Sequence, residues 1–226
     1  VTIHLLVIAH PLIFHYSWMK SVDDRPGLCI HVLTSLEERK RKDPSNYSHC
    51  VLMVDEMAIK QQVTYVPSEK RKVGYVDLGG VLEPETETIA KNALVMMAVG
   101  LKKKWKAPIA FFFTAGLTAE VLSTLITHSV DALFSRGIQV RAIVSDGHRS
   151  NVAAIKLMGG NMDEGVYHVD INGQRVQHML DAVHMMKVLR SLFADWEEIV
   201  GPHGVARWRD MKNLVDLQVI NINVDQ

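Results

Sequence analysis

The stretch Cys50-Val-Leu-Met-Val-Asp55 decides the fold, because its apolar residues run straight into an aspartate. A second stretch, Val140-Arg-Ala-Ile-Val-Ser-Asp146, repeats the pattern further along the chain. A carboxylate at the end of a buried strand is costly to desolvate unless a partner compensates it. Two such strands in one sheet bring paired carboxylates to a divalent cation. The pattern therefore predicts a sheet with Asp55 and Asp146 at one edge.

A turn is the alternative interpretation of the second aspartate. Asp146-Gly147 is a common turn pair, and Asp55 would then only end its strand. The pattern of residues alone leaves the metal site and the turn both open.

The elements around these strands predict an α/β fold. We expect, in order, a strand at 51–59, a hairpin of 62–66 and 72–76, strands at 93–99 and 108–113, a helix capped by Thr118 and ended by Gly137, a strand at 138–144, a helix capped by Ser150 or Asn151 and running through Met158, a short strand at 166–169, and helices at 179–193 and 205–219. Hairpin-joined strands followed by alternating helix and strand indicate a mixed sheet flanked by helices.

Composition excludes several classes of protein. Lys plus Arg number 25 and Asp plus Glu number 25, so net charge argues neither for nor against a nucleic-acid partner. Two cysteines, Cys29 and Cys50, form neither a disulfide framework nor a zinc site, which favours a reducing, intracellular setting. The apolar N-terminus, Val1–His10, is too short to cross a bilayer, so no membrane partner is expected. Both ends of the chain are interpreted as cuts in a longer polypeptide.

Two polar patterns have open interpretations. Asp181-Ala-Val-His184 places an acid and a histidine on nearly one helix face. His184 either lies near the predicted acids and orients the site or substrate, or is a hydrogen-bonded anchor of the helix to the sheet. The run Glu37–Asp43 is favoured as a solvated helix end, with DNA phosphate contact as the alternative. No glycine-rich phosphate loop and no nucleophile elbow is present in the sequence.

Ordered sequence blocks carry a family resemblance over nearly the whole chain. They are Trp18–Gly27, Val54–Lys60, Lys72–Gly79, Gly100–Ile109, Ser145–Asn151 with Lys156–Gly159, and Asp181–Lys187. Together they resemble the P-element-like transposases, which include the THAP-domain-bearing transposases of animals. The resemblance implies an RNase H-like catalytic domain that uses Mg²⁺ or Mn²⁺, with Asp55 and Asp146 as its first two catalytic metal ligands and Asp181 and His184 in support.

The resemblance also implies an incomplete site. The third acid of such transposases is a glutamate on a late helix, after an inserted GTP-binding domain, so we expect it beyond Gln226; neither Glu197 nor Glu198 is assigned to it. We expect a helical pre-catalytic segment at 1–45, the first part of the RNase H-like domain at 46–195, and the start of the insertion at 196–226. The piece is then a segment of a cut-and-paste DNA transposase that is inactive alone.

Partners follow from the same resemblance. They are transposon-end and target DNA, a second copy in the full-length protein, and GTP bound by the inserted domain. The resemblance also implies a nuclear location. Charge and hairpin position indicate these DNA-backbone contacts: Lys70, Arg71, Lys102, Lys103, Lys104, Lys106 and Arg149. A truncated or host-adopted relic, acting as a non-catalytic DNA-binding or protein-interaction module, is the alternative function. No motif supports an unrelated α/β enzyme.

Overall fold

The computed structural model describes residues 25–67, 70–83 and 87–224, and the side chains of these except 71 and 218–224. The predicted helical segment before Arg25 and most of the block Trp18–Gly27 lie outside the described residues.

Eleven strands form among the described residues. They are β1 Gly27–Leu28, β2 His49–Ala58, β3 Thr64–Val66, β4 Arg71–Val73, β5 Asn92–Gly100, β6 Lys106–Thr114, β7 Gln139–Ser145, β8 His168–Ile171, β9 Gln174–Leu180, β10 Glu198–Gly201 and β11 Gly204–Arg207. Seven of them make one sheet in the order β1-β6-β5-β2-β7-β9-β8, and β3-β4 and β10-β11 are separate hairpins. The apolar run of β2 thus lies centrally, as its sequence predicts.

The sheet is mixed. β2 pairs antiparallel with β5 and parallel with β7. β5 pairs antiparallel with β6, β7 pairs parallel with β9, and β8 pairs antiparallel with β9. This topology confirms the predicted mixed sheet, and β3-β4 confirms the added hairpin.

The described helices are α1 Ile30–Lys42, α2 Pro44–Tyr47, α3 Ala119–Phe134, α4 Arg149–Leu157, α5 Ala182–Trp196 and α6 Trp208–Val224, with a 3-10 turn at Met162–Glu164. Thr118 caps α3 as predicted, since its hydroxyl accepts from the Val121 N–H at 3.3 Å. Glu120 lies in the first turn, where the helix dipole favours a negative charge.

One core holds the sheet and its helices together. Alternate residues of β2, Cys50, Leu52 and Val54, are buried, as expected where one strand face packs on helices. The same hydrophobic cluster includes Leu33 of α1 and Leu125 of α3. Burial raises the pKa of the Cys50 thiol to about 12, so this cysteine is a packing residue and not a nucleophile.

The described residues divide into two compact units, one ending at Leu180 and one beginning at Asp181. In the second unit, β10 pairs with β11, and the rings of Phe193 and Trp208 meet edge to face at 5.4 Å. The domain boundaries expected from the sequence, 1–45, 46–195 and 196–226, stay predictions.

Two predicted helices are wrong at their starts. Residues 179 and 180 belong to β9, which pairs with β7, so the helix predicted at 179–193 is α5, beginning at Ala182. Residues 204–207 pair with 198–201, so the helix predicted at 205–219 is α6, beginning at Trp208. In both places pairing with another segment overrides the local helical spacing.

Among the described residues, every helix is too short or too polar to span a bilayer.

Candidate metal site

Asp55 and Asp146 lie at the same edge of the sheet on neighbouring parallel strands. In the β2-β7 ladder Val54 is paired with Ser145, so each aspartate is the residue after the last aligned pair. We call this place, defined by Asp55 and Asp146, the acid edge. The placement expected from the sequence is found; the role of the two residues as metal ligands stays a prediction.

The two aspartates differ in exposure. Val54 is 4 % exposed, and because side chains alternate along a strand, the exposed Asp55 lies on the opposite face of β2 from this core residue. Asp146 is half-buried, just beyond the end of β7. Both carboxylates therefore avoid the full desolvation that a buried strand end would impose.

Local hydrogen bonds orient the Asp146 carboxylate. Its Oδ1 accepts from the backbone N–H of His148 at 2.9 Å and from the side-chain amide of Asn151. Its Oδ2 has no hydrogen-bond partner among the described residues. The turn interpretation is thus also fulfilled, since the Asp146 side chain closes an Asx turn through Oδ1.

The predicted cap of α4 is wrong. His148 is the N-cap, and its Nδ1 accepts from the Ser150 N–H at 3.5 Å. Asn151 binds Asp146 instead of capping the helix. A short polar side chain near a helix start hydrogen-bonds the nearest available group, and here that group is a carboxylate five residues earlier.

His178 is a residue of this region that sequence reasoning missed. It lies on β9, is 3 % exposed, and its Nε2 is 3.1 Å from the Ser145 hydroxyl. That hydroxyl is 3.3 Å from the Asp146 carbonyl oxygen, so a buried polar pair supports the end of β7. Burial lowers the pKa of His178, and its Nδ1 has no hydrogen-bond partner in the described part of the chain. The alternating sequence Gln174–Leu180 was the available signal.

The acid edge is not a closed ligand set. Within 25–67, 70–83 and 87–224, no group of three or more His, Cys, Asp or Glu side chains is placed to hold a metal ion. Two carboxylates supply part of the oxygen shell that Mg²⁺ or Ca²⁺ requires.

Asp181 and His184 belong to the second unit. Asp181 directly follows β9 and caps α5, its Oδ1 accepting from the Val183 N–H at 2.9 Å. His184 is half-buried in the first turn of that helix. The capping bond accounts for the aspartate, and the supporting role expected for both residues stays a prediction.

The seven cations predicted to contact DNA separate into two groups. Lys70 and Arg71 lie in the hairpin that follows the carboxyl end of β2, and Arg149 opens α4 just after Asp146. Lys102, Lys103, Lys104 and Lys106 lie at the turn from β5 to β6. Because Cys50 is paired with Gly100, this turn is beside the amino end of β2, away from the acid edge. Their contact with DNA stays a prediction.

A mixed sheet of this order, with an acid at the same end of two neighbouring parallel strands, is the RNase H-like arrangement predicted from the sequence. The chain belongs to the family described as TNP-like, RNase H N-terminal domain, whose model matches residues 24–159. The resemblance to P-element-like transposases is thereby confirmed.

Similar proteins agree with this membership. The chain is 26 % identical over 220 residues to DNA transposase THAP9 of Homo sapiens, covering 95 % of this chain and 24 % of that protein. It is 27 % identical over 183 residues to Transposable element P transposase of Drosophila melanogaster, covering 80 % of this chain and 21 % of that protein. It thus spans about a quarter of the length of these relatives.

A solved structure shares the fold. The Drosophila P element transposase strand transfer complex matches with a TM-score of 0.66 and 20 % identity, covering 89 % of this chain and 41 % of that one.

Proposed function

We propose that this chain is the segment of a DNA transposase catalytic core that supplies the first two acids of a metal-dependent DNA cleavage and strand-transfer site. One observation carries the proposal: Val54 and Ser145 are paired in neighbouring parallel strands, so Asp55 and Asp146 follow side by side. Transposase relatives along most of the chain support the reaction class.

The residues fit a hard divalent cation. Asp55 is exposed to solvent, and Asp146 keeps Oδ2 free of hydrogen bonds among the described residues. Oxygen ligands are those that Mg²⁺ and Mn²⁺ prefer. When bound, such a cation would neutralise charge on a phosphodiester and lower the pKa of an attacking water or 3′-hydroxyl.

The chain's own residues would hold the Asp146 ligand in place. The His148 N–H and the Asn151 amide both donate to Oδ1, which restrains the carboxylate and would leave Oδ2 to bind a cation. Arg149, at the first position of α4, is close enough in sequence to meet a phosphate held at the acid edge.

The test is Mn²⁺ binding to this chain, measured by electron paramagnetic resonance or calorimetry. Asp55→Asn and Asp146→Asn each remove one anionic ligand while keeping the side-chain volume, so each should weaken Mn²⁺ binding by at least about tenfold. Asp170→Asn is the matched control, because Asp170 is an exposed acid of β8 in the same sheet.

Wild-type affinity in both acid-edge variants would refute the shared site. A structure with Mn²⁺ gives a second criterion: both carboxylates should lie about 2.0–2.6 Å from the ion. In a longer form of the protein that includes the third acid, Asp146→Asn should abolish strand cleavage, and unchanged cleavage would remove the catalytic assignment.

A non-catalytic module is the second candidate function. It is favoured by the absence of a group of three metal-ligating side chains from the described residues. DNA binding that is the same with EDTA and with Mn²⁺, together with no measurable Mn²⁺ binding by wild type, would select this function over the first.

Further properties are proposed for the whole protein. We infer transposon-end and target DNA as substrates, self-association, GTP binding by an inserted domain and a nuclear location from the family to which the chain belongs. Nucleotide titration and size measurement of a longer form would test GTP binding and self-association.

A further inference from the structure

Two basic segments lie close together at the end of the sheet opposite the acid edge. Helix α1 ends in four consecutive cations, Arg39–Lys42, and the turn from β5 to β6 carries Lys102, Lys103 and Lys104. All are exposed except the half-buried Lys40. We call these seven side chains the far basic surface.

Contacts fix the two segments to each other. Lys103 Nζ is 4.0 Å from Asp43 Oδ2, at the end of α1, and 5.8 Å from the centre of the Tyr47 ring. Tyr47 stacks on Trp105 with ring centres 5.3 Å apart, and the Trp105 indole donates to the Asn46 carbonyl at 3.0 Å. The α1-α2 junction and the lysine turn therefore form one ordered surface.

The start of β7 borders the same surface. A Cβ built at Gly137 would lie 2.6 Å from Lys40 Nζ, so the end of α1 lies against the segment that leads into β7. The residue at this position is glycine with φ of +70°, which serves the turn and leaves room for the lysine.

Positive charge exceeds negative charge here. Glu37, Glu38 and Asp43 are the acids of the α1 end, and Glu37 is 4.0 Å from Arg136. Exposed ion pairs of this kind hold their partners weakly, so the lysines remain available to an outside anion. A field of one sign over an ordered surface attracts a polyanion.

The far basic surface is distant from the acid edge. The Leu101 N–H donates to the His49 carbonyl at 3.3 Å, which places the lysine turn at the beginning of β2. The six residue steps from His49 to Asp55 span about 20 Å along an extended strand. Along a DNA duplex this is about six base pairs.

We propose that the far basic surface is a second, sequence-independent site for the phosphate backbone of duplex DNA, separate from the phosphodiester held at the acid edge. The inference rests on the proposed function, because it takes DNA as the substrate. It assigns Arg39–Lys42, for which the sequence favours a solvated helix end, to DNA binding together with Lys102–Lys104.

The test is binding of a fluorescent 20-base-pair duplex to this chain in EDTA, over a series of salt concentrations. EDTA silences metal-dependent binding at the acid edge. The triple variant Lys102→Gln, Lys103→Gln, Lys104→Gln should bind at least about tenfold more weakly at low salt, and the slope of log K against log salt should fall by about 2 to 3. Arg39→Gln with Arg41→Gln should reduce the slope further.

Lys156→Gln, Arg175→Gln, Lys212→Gln is the matched control. It removes the same charge from exposed cations elsewhere, and its affinity should change less than about twofold. Equal losses in both triple variants, or no duplex binding by wild type, would overturn the proposal. If the wild-type chain bound polyglutamate as tightly as the duplex at the same anion concentration, this result would also overturn the proposal and indicate an acidic protein partner.

The acid-edge variants separate this proposal from the proposed function. Asp55→Asn and Asp146→Asn should leave duplex binding in EDTA unweakened while they lose Mn²⁺. Retained Mn²⁺ binding in these variants counts against the proposed function alone, and unchanged duplex affinity in the lysine variant counts against the second site alone.

Discussion

The two ends of the central sheet are built on the same strands but differ in construction. At the acid edge, Asp146 is oriented by two hydrogen bonds within a turn and a short helix. At the far basic surface, the contacts of the exposed lysines are a 4.0 Å ion pair and a cation-π contact, both made by Lys103. A metal ligand must be fixed to within fractions of an ångström, whereas a phosphate contact needs charge at roughly the right place. The difference in how firmly the side chains are held therefore matches the difference in proposed chemistry.

Destabilising the shared core should weaken Mn²⁺ binding and duplex binding together, and this is the largest effect we expect. Phe112 of β6 is fully buried, so Phe112→Ala should lower the free energy of unfolding by about 3–5 kcal/mol. Phe134→Ala is the control, because Phe134 is 40 % exposed and should cost clearly less. Urea denaturation followed by circular dichroism measures both, and equal costs would show that the core is not where the burial pattern puts it.

A change confined to the acid edge should separate the two ends. Asn151→Ala removes one of the two donors to Asp146 Oδ1, so Mn²⁺ affinity should fall about 10-fold while duplex binding in EDTA is retained. Asn172→Ala, which removes an exposed amide bonded to Asp131 at 2.6 Å, is the control for loss of an asparagine hydrogen bond. Unchanged Mn²⁺ affinity in Asn151→Ala would mean that this bond does not orient a ligand.

The strands of the acid edge could be predicted because local sequence and tertiary position agree. The apolar stretches of β2 and β7 each run into an acid, which is typical of buried central strands that reach a site: Asp55 lies within β2, and Asp146 follows β7. Thr118 likewise has a capping residue's chemistry and caps α3. The order of helices and strands then restricted the sheet to few arrangements.

The end of strand β9 could not be predicted from local pattern. Its last residues, Met179 and Leu180, continue into apolar residues at helical spacing, and only pairing with β7 makes them a strand. Helix starts favour both Ser150 and Asn151 as caps, whereas the bond of Asn151 to Asp146 depends on the geometry of the turn. The separation of Lys102–Lys104 from the acids depends on the antiparallel β2-β5 register, which sequence does not state.

The buried histidine beneath the acid edge should give stability a pH dependence. Burial lowers the pKa of His178 below its ordinary 6.5, so the unfolded chain takes up this proton before the folded one does. The contribution of neutral His178 to the free energy of unfolding is complete above pH 6.5. It is lost as the pH falls from 6.5 toward the lower pKa of the folded state. The free energy of unfolding should fall on acidification to pH 5, and less steeply in His178→Phe. His128→Gln, an exposed histidine of α3, controls for loss of a histidine as such.

The smallest effect concerns the helix that runs between the two ends. Thr118→Ala removes the cap of α3 and leaves the Val121 N–H without its side-chain acceptor, so the free energy of unfolding should fall by about 1 kcal/mol. Mn²⁺ and duplex affinities of the folded protein should both stay at wild-type values, because the cap contacts neither the acid edge nor the far basic surface. Thr124→Ala is the control: this exposed threonine lies inside the same helix, where alanine is the better helix former, and stability should hold or rise. A loss of affinity at only one end in Thr118→Ala would mean that the start of α3 belongs to that end and is not a neutral support for both.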